Sequence, residues 1–299
     1  MSDLLHSRAL LLAFEDERPL AQELAEALGL PLAFISRHRF PDGELRLVLP
    51  KPLPPTVFLL RGLQQPTEKL VELLIAAPTA RELGADRLVL VSPYLAYMRQ
   101  DMEFTPGEAV SQRHIARLLA QQFNHVITLD PHLHRIASLD EVMPAGAGFA
   151  LSVAPVLGAW IAAHVPGALL IGPDEESAQW VREAAAAGGL DHAIGRKVRH
   201  GDHQVELALP QLEVTGRAIV LLDDMASTGR TLIGAAQGLL ARGAASVDVA
   251  VTHALFNGDA LPALQAAGVR HVWSSNSVPH GSNAVSIVPL LAGVLRRWL

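Results

Sequence analysis

The sequence predicts an α/β protein in two halves, each a mostly parallel sheet flanked by helices. Three observations carry this. First, a helix end, a glycine and a β-rich strand recur as a unit in ARELGADRLVLVSPY (80–94), LARGAASVDVAVTHAL (240–255) and LQAAGVRHVWSSNSV (264–278). Glycine just past a helix suits the left-handed C-cap position, and strands alternating with helices build parallel sheets. Second, HVITLDPHLH (125–134), GALLIGPDEES (167–177) and AIVLLDDMAS (218–227) are near-continuous apolar runs ending in polar residues, as strands covered on both faces should be. Third, EVMPAGAG (141–148) is a Pro/Gly-rich break between stretches of similar length. It divides the chain into 1–146 and 147–299.

Composition narrows the function. Of 299 residues, half are hydrophobic and 18% charged, enough to build a sizeable core. The net charge is −6 and there is no long basic run. Neither a nucleic acid nor a membrane surface is therefore expected as partner. The absence of cysteine excludes disulfides, thiolate catalysis and cysteine zinc sites. FALSVAPVLGAWIAAHVPGALLIG (149–172) is long enough for a membrane span, but Pro166-Gly167 splits it and His164 lies inside. It is expected to form a buried helix, a turn and a strand. The N-terminus lacks a basic start and its apolar run is short, so the chain reads as cytoplasmic.

Ligands of open α/β sheets bind at the carboxyl ends of strands, and the polar clusters there come in a fixed order. RFPDGELRL (39–47) holds turn chemistry in Pro-Asp-Gly. It also offers Phe40 as a stacking surface and Asp42 and Glu44 as acceptors. SPYLAYMRQDMEFTPGEAVS (92–111) carries Arg99, Gln100 and Asp101 before a loop, and arginine is shaped for phosphate. Ser111 or Glu108 is expected to introduce the following helix. DPHLHR (130–135) has two histidines two apart, with Asp130 placed to orient a ring. In GPDEES (172–177), Asp174 suits either a helix N-cap or a metal.

The segment 195–217 is polar and basic, then alternates as VELAL, which suggests a hairpin or flap. Its RKVRH contains one of only three lysines in the chain: Lys51, Lys69 and Lys197. A cationic flap could close on a transferring phosphoryl group. In VLLDDMASTGRTL (220–232), Asp223 and Asp224 stand side by side before a small-residue turn and a helix start. Asp224 and Ser227 could cap that helix. Alternatively, the acids face sugar hydroxyls and the loop amides face a phosphate. No Walker A, GxGxxG, GxSxG or HExxH pattern is present.

Taken in order, these segments resemble the ribose-phosphate pyrophosphokinase (phosphoribosyl diphosphate synthetase) family over nearly the whole chain. FPDGE resembles the family's FSDGE adenine loop, and SPYLAYMRQD its PYxxYxRQD segment. LDPHLH and GPDEES resemble its two metal segments, KVR its KxR pair, and DDMASTGRT its phosphoribosyl-binding loop. The resemblance implies two tandem phosphoribosyltransferase-like α/β domains. It implies diphosphoryl transfer from ATP to ribose 5-phosphate with Mg²⁺ as cofactor.

Carried over residue by residue, the resemblance places Phe40, Asp42, Gly43, Glu44, Arg99, Gln100 and Asp101 at ATP and His132 and Asp174 at the metal. Lys197 and Arg199 fall at the transferred group. Asp223, Asp224, Ser227, Thr228, Gly229, Arg230 and Thr231, with Arg199, fall at ribose 5-phosphate. Arg230 stands where the family usually has glycine and adds a cation to the loop. The resemblance also implies a homo-oligomer, at least a dimer and up to tetramer or hexamer, in which the FPDGE loop reaches a neighbour's adenine. Two rivals stay open: a phosphoribosyltransferase that consumes the diphosphate, and a non-catalytic regulatory homologue.

Overall fold

The computed structural model describes residues 7–133, 135–200, 204–208 and 213–299, with 196–200 and 204–208 described through their backbone alone. It forms two compact units. The first contains β1 (Ala9–Phe14), α1 (Arg18–Leu28), β2 (Leu32–Arg39), β3 (Leu45–Val48), β4 (Thr56–Leu60) and α2 (Pro66–Glu82). It continues with β5 (Arg87–Ser92), α3 (Ser111–Gln122), β6 (His125–Leu129) and β7 (Gly148–Leu151). The strand order is β3-β2-β1-β4-β5-β6-β7. Every pairing is parallel except that of the edge strand β3 with β2.

The central strands ALLLAF and TVFLL are buried along their whole length. That is why they read as unbroken apolar runs: both faces of the sheet are covered. Helix α1 covers the sheet with a stripe of Leu20, Ala21, Leu24 and Ala25, starts with proline in its first turn and ends on left-handed Gly29.

The second unit contains α4 (Ala154–His164), β8 (Leu169–Gly172), α5 (Ala178–Gly188), β9 (Asp191–Ile194) and the hairpin β10 (Arg196–His200) with β11 (Gln204–Ala208). After it come β12 (Ala218–Ala226), α6 (Arg230–Ala241), β13 (Ser246–Ala254), α7 (Ala260–Ala266), β14 (Val269–Ser275) and β15 (Asn283–Val285). Its sheet runs β15-β14-β13-β12-β8-β9 and is parallel. Its core is formed by Leu169, Ile171, Ile219, Leu221, Val247 and Val249 of the sheet with Leu232 and Leu239 of α6.

In both units the first strand lies between the second and a later one: β1 between β2 and β4, and β8 between β9 and β12. Such a reversal of strand order opens a crevice at the carboxyl edge. Gly84, Gly243 and Gly268 have φ of 117°, 88° and 92°, as the recurring unit requires. Residues 149–172 form β7, α4 and β8. Among the described residues no helix is long and apolar enough to cross a membrane.

Two expectations are corrected and one is met by the first of its two candidates. The second unit is Ser152–Ile287, and Val288–Leu299 joins the first unit, so 147–299 is not one body. The cause is aromatic packing and a cap. Helix α8 (Val288–Leu295) packs against α1. The Trp298 ring lies 5.0 Å from His125 and 5.3 Å from Phe149, and Arg296 donates to the Ala27 carbonyl at 2.8 Å. Of the two residues expected to introduce α3, Ser111 does so and Glu108 does not. Ser111 is its first residue, and Glu108 instead accepts the Phe104 and Thr105 N–H groups at 2.8 and 2.9 Å. Neither Asp224 nor Ser227 caps α6, whose N-cap is left-handed Gly229 with no side-chain cap bond.

Candidate active site

In the second unit, β12 delivers Asp223 and Asp224 to the carboxyl edge, next to β8 and the loop that follows it. Asp224 is buried, and Asp223 is partly accessible. Burial raises the Asp223 carboxyl well above the usual aspartate range, and the negative charges of Asp224 and Asp174 raise it further. Three acids expected to act together thus share one field. Asp174 also caps the short helix Glu175–Ser177, its Oδ1 accepting the Glu176 and Ser177 N–H groups at 3.1 and 3.2 Å. Its N-cap role is therefore present beside its place in the acid cluster.

The turn 227–229 leads into α6, where Arg230 and Thr231 open the first helical turn. N–H groups of a first turn have no carbonyl partner within the helix and attract anions. Thr228 and Arg230 are exposed, and Gly229 holds φ +69°. Asn257 pins the turn: its N–H reaches the Ser227 carbonyl and its Nδ2 the Ser227 hydroxyl, both at 3.1 Å. Sequence reasoning missed Asn257, because nothing local marks a contact formed 30 residues away. Lys197 and Arg199 occupy alternate positions of β10, paired with Leu207 and Val205 in the antiparallel hairpin.

In the first unit, FPDGE is the turn of the β2–β3 hairpin. Phe40 N–H bonds to Glu44 O and Gly43 N–H to Phe40 O, both at 2.9 Å, and Asp42 accepts the Glu44 N–H at 3.2 Å. Gly43 has φ +94°. Phe40, Asp42, Gly43 and Glu44 are all exposed, and the Phe40 ring meets only His38 edge-on at 4.9 Å among the ring contacts described.

The loops after β5 and β6 carry the other expected residues. Arg99 is exposed and Gln100 half-buried, its Nε2 donating to Met102 O at 3.2 Å. Asp101 is buried and accepts from Arg135 at 2.6 Å. His132 is half-buried on the neighbouring loop. Tyr97 (φ 65°) and Asp130 (φ 33°) on these loops are two of three described non-glycine residues with positive φ, the other being Gln65. Such conformations gather at ligand sites.

A second feature lay hidden in the sequence. Arg61, directly after β4, is completely buried among Asp16, Glu17 and Glu72. Burial raises the Glu17 carboxyl and lowers the Lys69 ammonium beside it.

Comparison with known proteins accounts for both units. Residues 9–122 match the family described as the N-terminal domain of ribose phosphate pyrophosphokinase, and 165–277 match the phosphoribosyl transferase domain. The Methanopyrus kandleri protein named ribose-phosphate pyrophosphokinase is 36% identical over 286 residues, 95% of this chain and 97% of its own. The chain belongs to the ribose-phosphate pyrophosphokinase family. The pyrophosphokinase of Halobacterium salinarum is 31% identical over 96% of this chain and all of its own. The crystal structure of phosphoribosylpyrophosphate synthetase from Mycobacterium smegmatis superposes with a TM-score of 0.84 at 25% identity, over 97% of this chain and 98% of that one. This pyrophosphokinase chain is thus two tandem phosphoribosyltransferase-like α/β domains.

Proposed function

We propose that the protein transfers the β,γ-diphosphoryl group of ATP to the anomeric hydroxyl of ribose 5-phosphate. The products are 5-phosphoribosyl 1-diphosphate and AMP. One observation carries the reading: the acid pair Asp223–Asp224, with Asp174 in the same field, stands just before a turn opening a helix. Acids suit the ribose hydroxyls. The turn's N–H groups, with Thr228 and Thr231 hydroxyls and the Arg230 guanidinium, suit the 5-phosphate.

The anomeric oxygen attacks the β-phosphorus in line as the bond to the α-phosphate oxygen breaks and AMP leaves. Such transfers depend on positioning and charge neutralisation. Lys197 and Arg199 on the hairpin supply cations to the moving group. Phe40, Asp42, Gly43 and Glu44 receive adenine, and Arg99 and Gln100 the polyphosphate, with Asp101 in support.

The donor set suits Mg²⁺. Asp174, Asp223 and Asp224 are hard oxygen donors whose negative charges add in one field, and the family resemblance adds His132 to the metal residues. Mg²⁺ dehydrates reluctantly and keeps several waters, so few protein ligands are needed. Bound there, Mg²⁺ neutralises charge on the diphosphoryl oxygens. The protein works in the cytoplasm as a homo-oligomer, at least a dimer, with the exposed FPDGE turn reaching a neighbour's adenine.

The match of residues 9–122 to the pyrophosphokinase N-terminal domain favours this over a phosphoribosyltransferase that consumes the diphosphate. The deciding experiment is AMP release from ATP by purified protein, with and without ribose 5-phosphate and Mg²⁺. AMP formed only with both is the expected result. ADP in its place means γ-phosphoryl transfer and overturns the proposal.

A further inference from the structure

We infer that Arg135 is a positioning residue that locks the ATP-binding loop after β5 to the His132 loop after β6. The inference rests on the ATP-site reading above and names a residue outside it. Strands β5 and β6 are parallel neighbours, with Ser92 paired to Thr128, so both loops leave the same edge of the sheet. The Arg135 Nη1 reaches Asp101 Oδ1 at 2.6 Å, and the two side chains are 50% and 1% exposed.

An exposed ion pair contributes little. Here the acid is out of water, so its charge must be met within the protein. Among the described residues Asp101 Oδ2 is buried without a hydrogen-bond partner. Its own loop therefore leaves the carboxylate half satisfied, and the named counter-charge is the arginine. The same guanidinium lies 5.5 Å from the ring centroid of Phe104, a large apolar side chain left 57% exposed. That is within cation–π range. One arginine thus grips the loop at two points.

The consequence follows from chain position. Arg99 and Gln100 immediately precede Asp101, and His132 lies on the loop that carries Arg135. Fixing Asp101 to Arg135 fixes the spacing between the polyphosphate-binding pair and His132. Without it, the buried carboxylate draws its loop toward water. The ATP side is then misplaced, while the ribose 5-phosphate site, in the other unit, keeps its own geometry.

The test measures binding of a non-hydrolysable ATP analogue with Mg²⁺ by calorimetry, together with steady-state AMP release. Arg135→Ala should weaken analogue binding and raise the KM for ATP about tenfold, as loss of a charge-assisted bond does. The KM for ribose 5-phosphate should stay within about twofold, a split that general destabilisation does not produce. Arg135→Lys should recover part of the loss, since it restores the charge without the planar fork.

Asp101→Asn combined with Arg135→Ala should be no weaker than the worse single variant, because both remove one interaction. Analogue binding by Arg135→Ala within about twofold of the parent overturns the inference, as does fully additive loss in the double variant. Calorimetry needs no turnover. Absence of AMP release by the parent protein would sink the proposed reaction alone, and the calorimetric loss in Arg135→Ala, its partial recovery in Arg135→Lys and the double variant would still decide the role of Arg135.

Discussion

Arg61 and Glu72 form an ion pair in which neither side chain has any exposed surface. Asp16 accepts from the same guanidinium at 2.7 and 2.8 Å, Glu17 lies at 3.5 Å, and the Phe14 ring centroid is 4.5 Å away. Removing one member of such a group strands the others. Arg61→Ala is expected to cost about 3–5 kcal/mol in urea denaturation. A loss below about 1 kcal/mol in Arg61→Ala would show that water reaches the site.

Asp223 links function to pH. Its carboxyl is raised by burial first and by Asp224 and Asp174 next. Above the ordinary aspartate value of about 3.9, the unfolded chain has released this proton while the folded chain keeps it. Stability in chelator should therefore fall as pH climbs from there through the raised value. Asp223→Asn should flatten that fall and stabilise the unliganded protein at neutral pH by on the order of 1 kcal/mol, while abolishing AMP release. Thermal melts across pH in both proteins check this, and identical slopes would remove Asp223 as the cause.

Gly229 tests the phosphate turn. Its φ is +69°, and a Cβ there would meet Leu264 no closer than 3.6 Å. The space is adequate and the backbone conformation is the obstacle. Gly229→Ala should strain the turn by about 1–2 kcal/mol and raise the KM for ribose 5-phosphate roughly tenfold, with the KM for ATP little changed. Asn257→Ala should shift the same constant in the same direction, less strongly.

Phe40 tests the adenine turn. It is 38% exposed at a hairpin tip and outside the core of its unit. Phe40→Ala should change folding stability by less than about 0.5 kcal/mol. The KM for ATP should rise about tenfold if the ring stacks on adenine. Unchanged ATP kinetics would leave the aromatic without a role in nucleotide binding.

The parts of this molecule that were legible in the sequence are those whose cause is local. Parallel strands buried on both faces appear as apolar runs, and left-handed glycines mark helix ends. Adjacent acids such as Asp223 and Asp224 announce themselves, and a Pro-Asp-Gly turn predicts its hairpin. Contacts made at a distance were not legible. Asp16 and Arg61 are 45 residues apart, and Asp101 and Arg135 are 34 apart. Glu108 suits the start of a helix by its type. The bonds that decide its role go instead to N–H groups three and four residues back. The destination of Val288–Leu299 is also tertiary: its apolar residues say that it is buried but not in which unit.

The return of Val288–Leu299 to the first unit sets an order of assembly during synthesis. Everything the second unit needs, Ser152–Ile287, has been made before the strand–helix layers of the first unit receive their last helix. Domains generally mature from the N-terminal end as the chain emerges, but here the body begun first is finished last. Until α8 and Trp298 arrive, the faces of α1, His125 and Phe149 that they cover stay open to water. Transiently exposed apolar surface of that kind favours aggregation, and the finished first unit covers it.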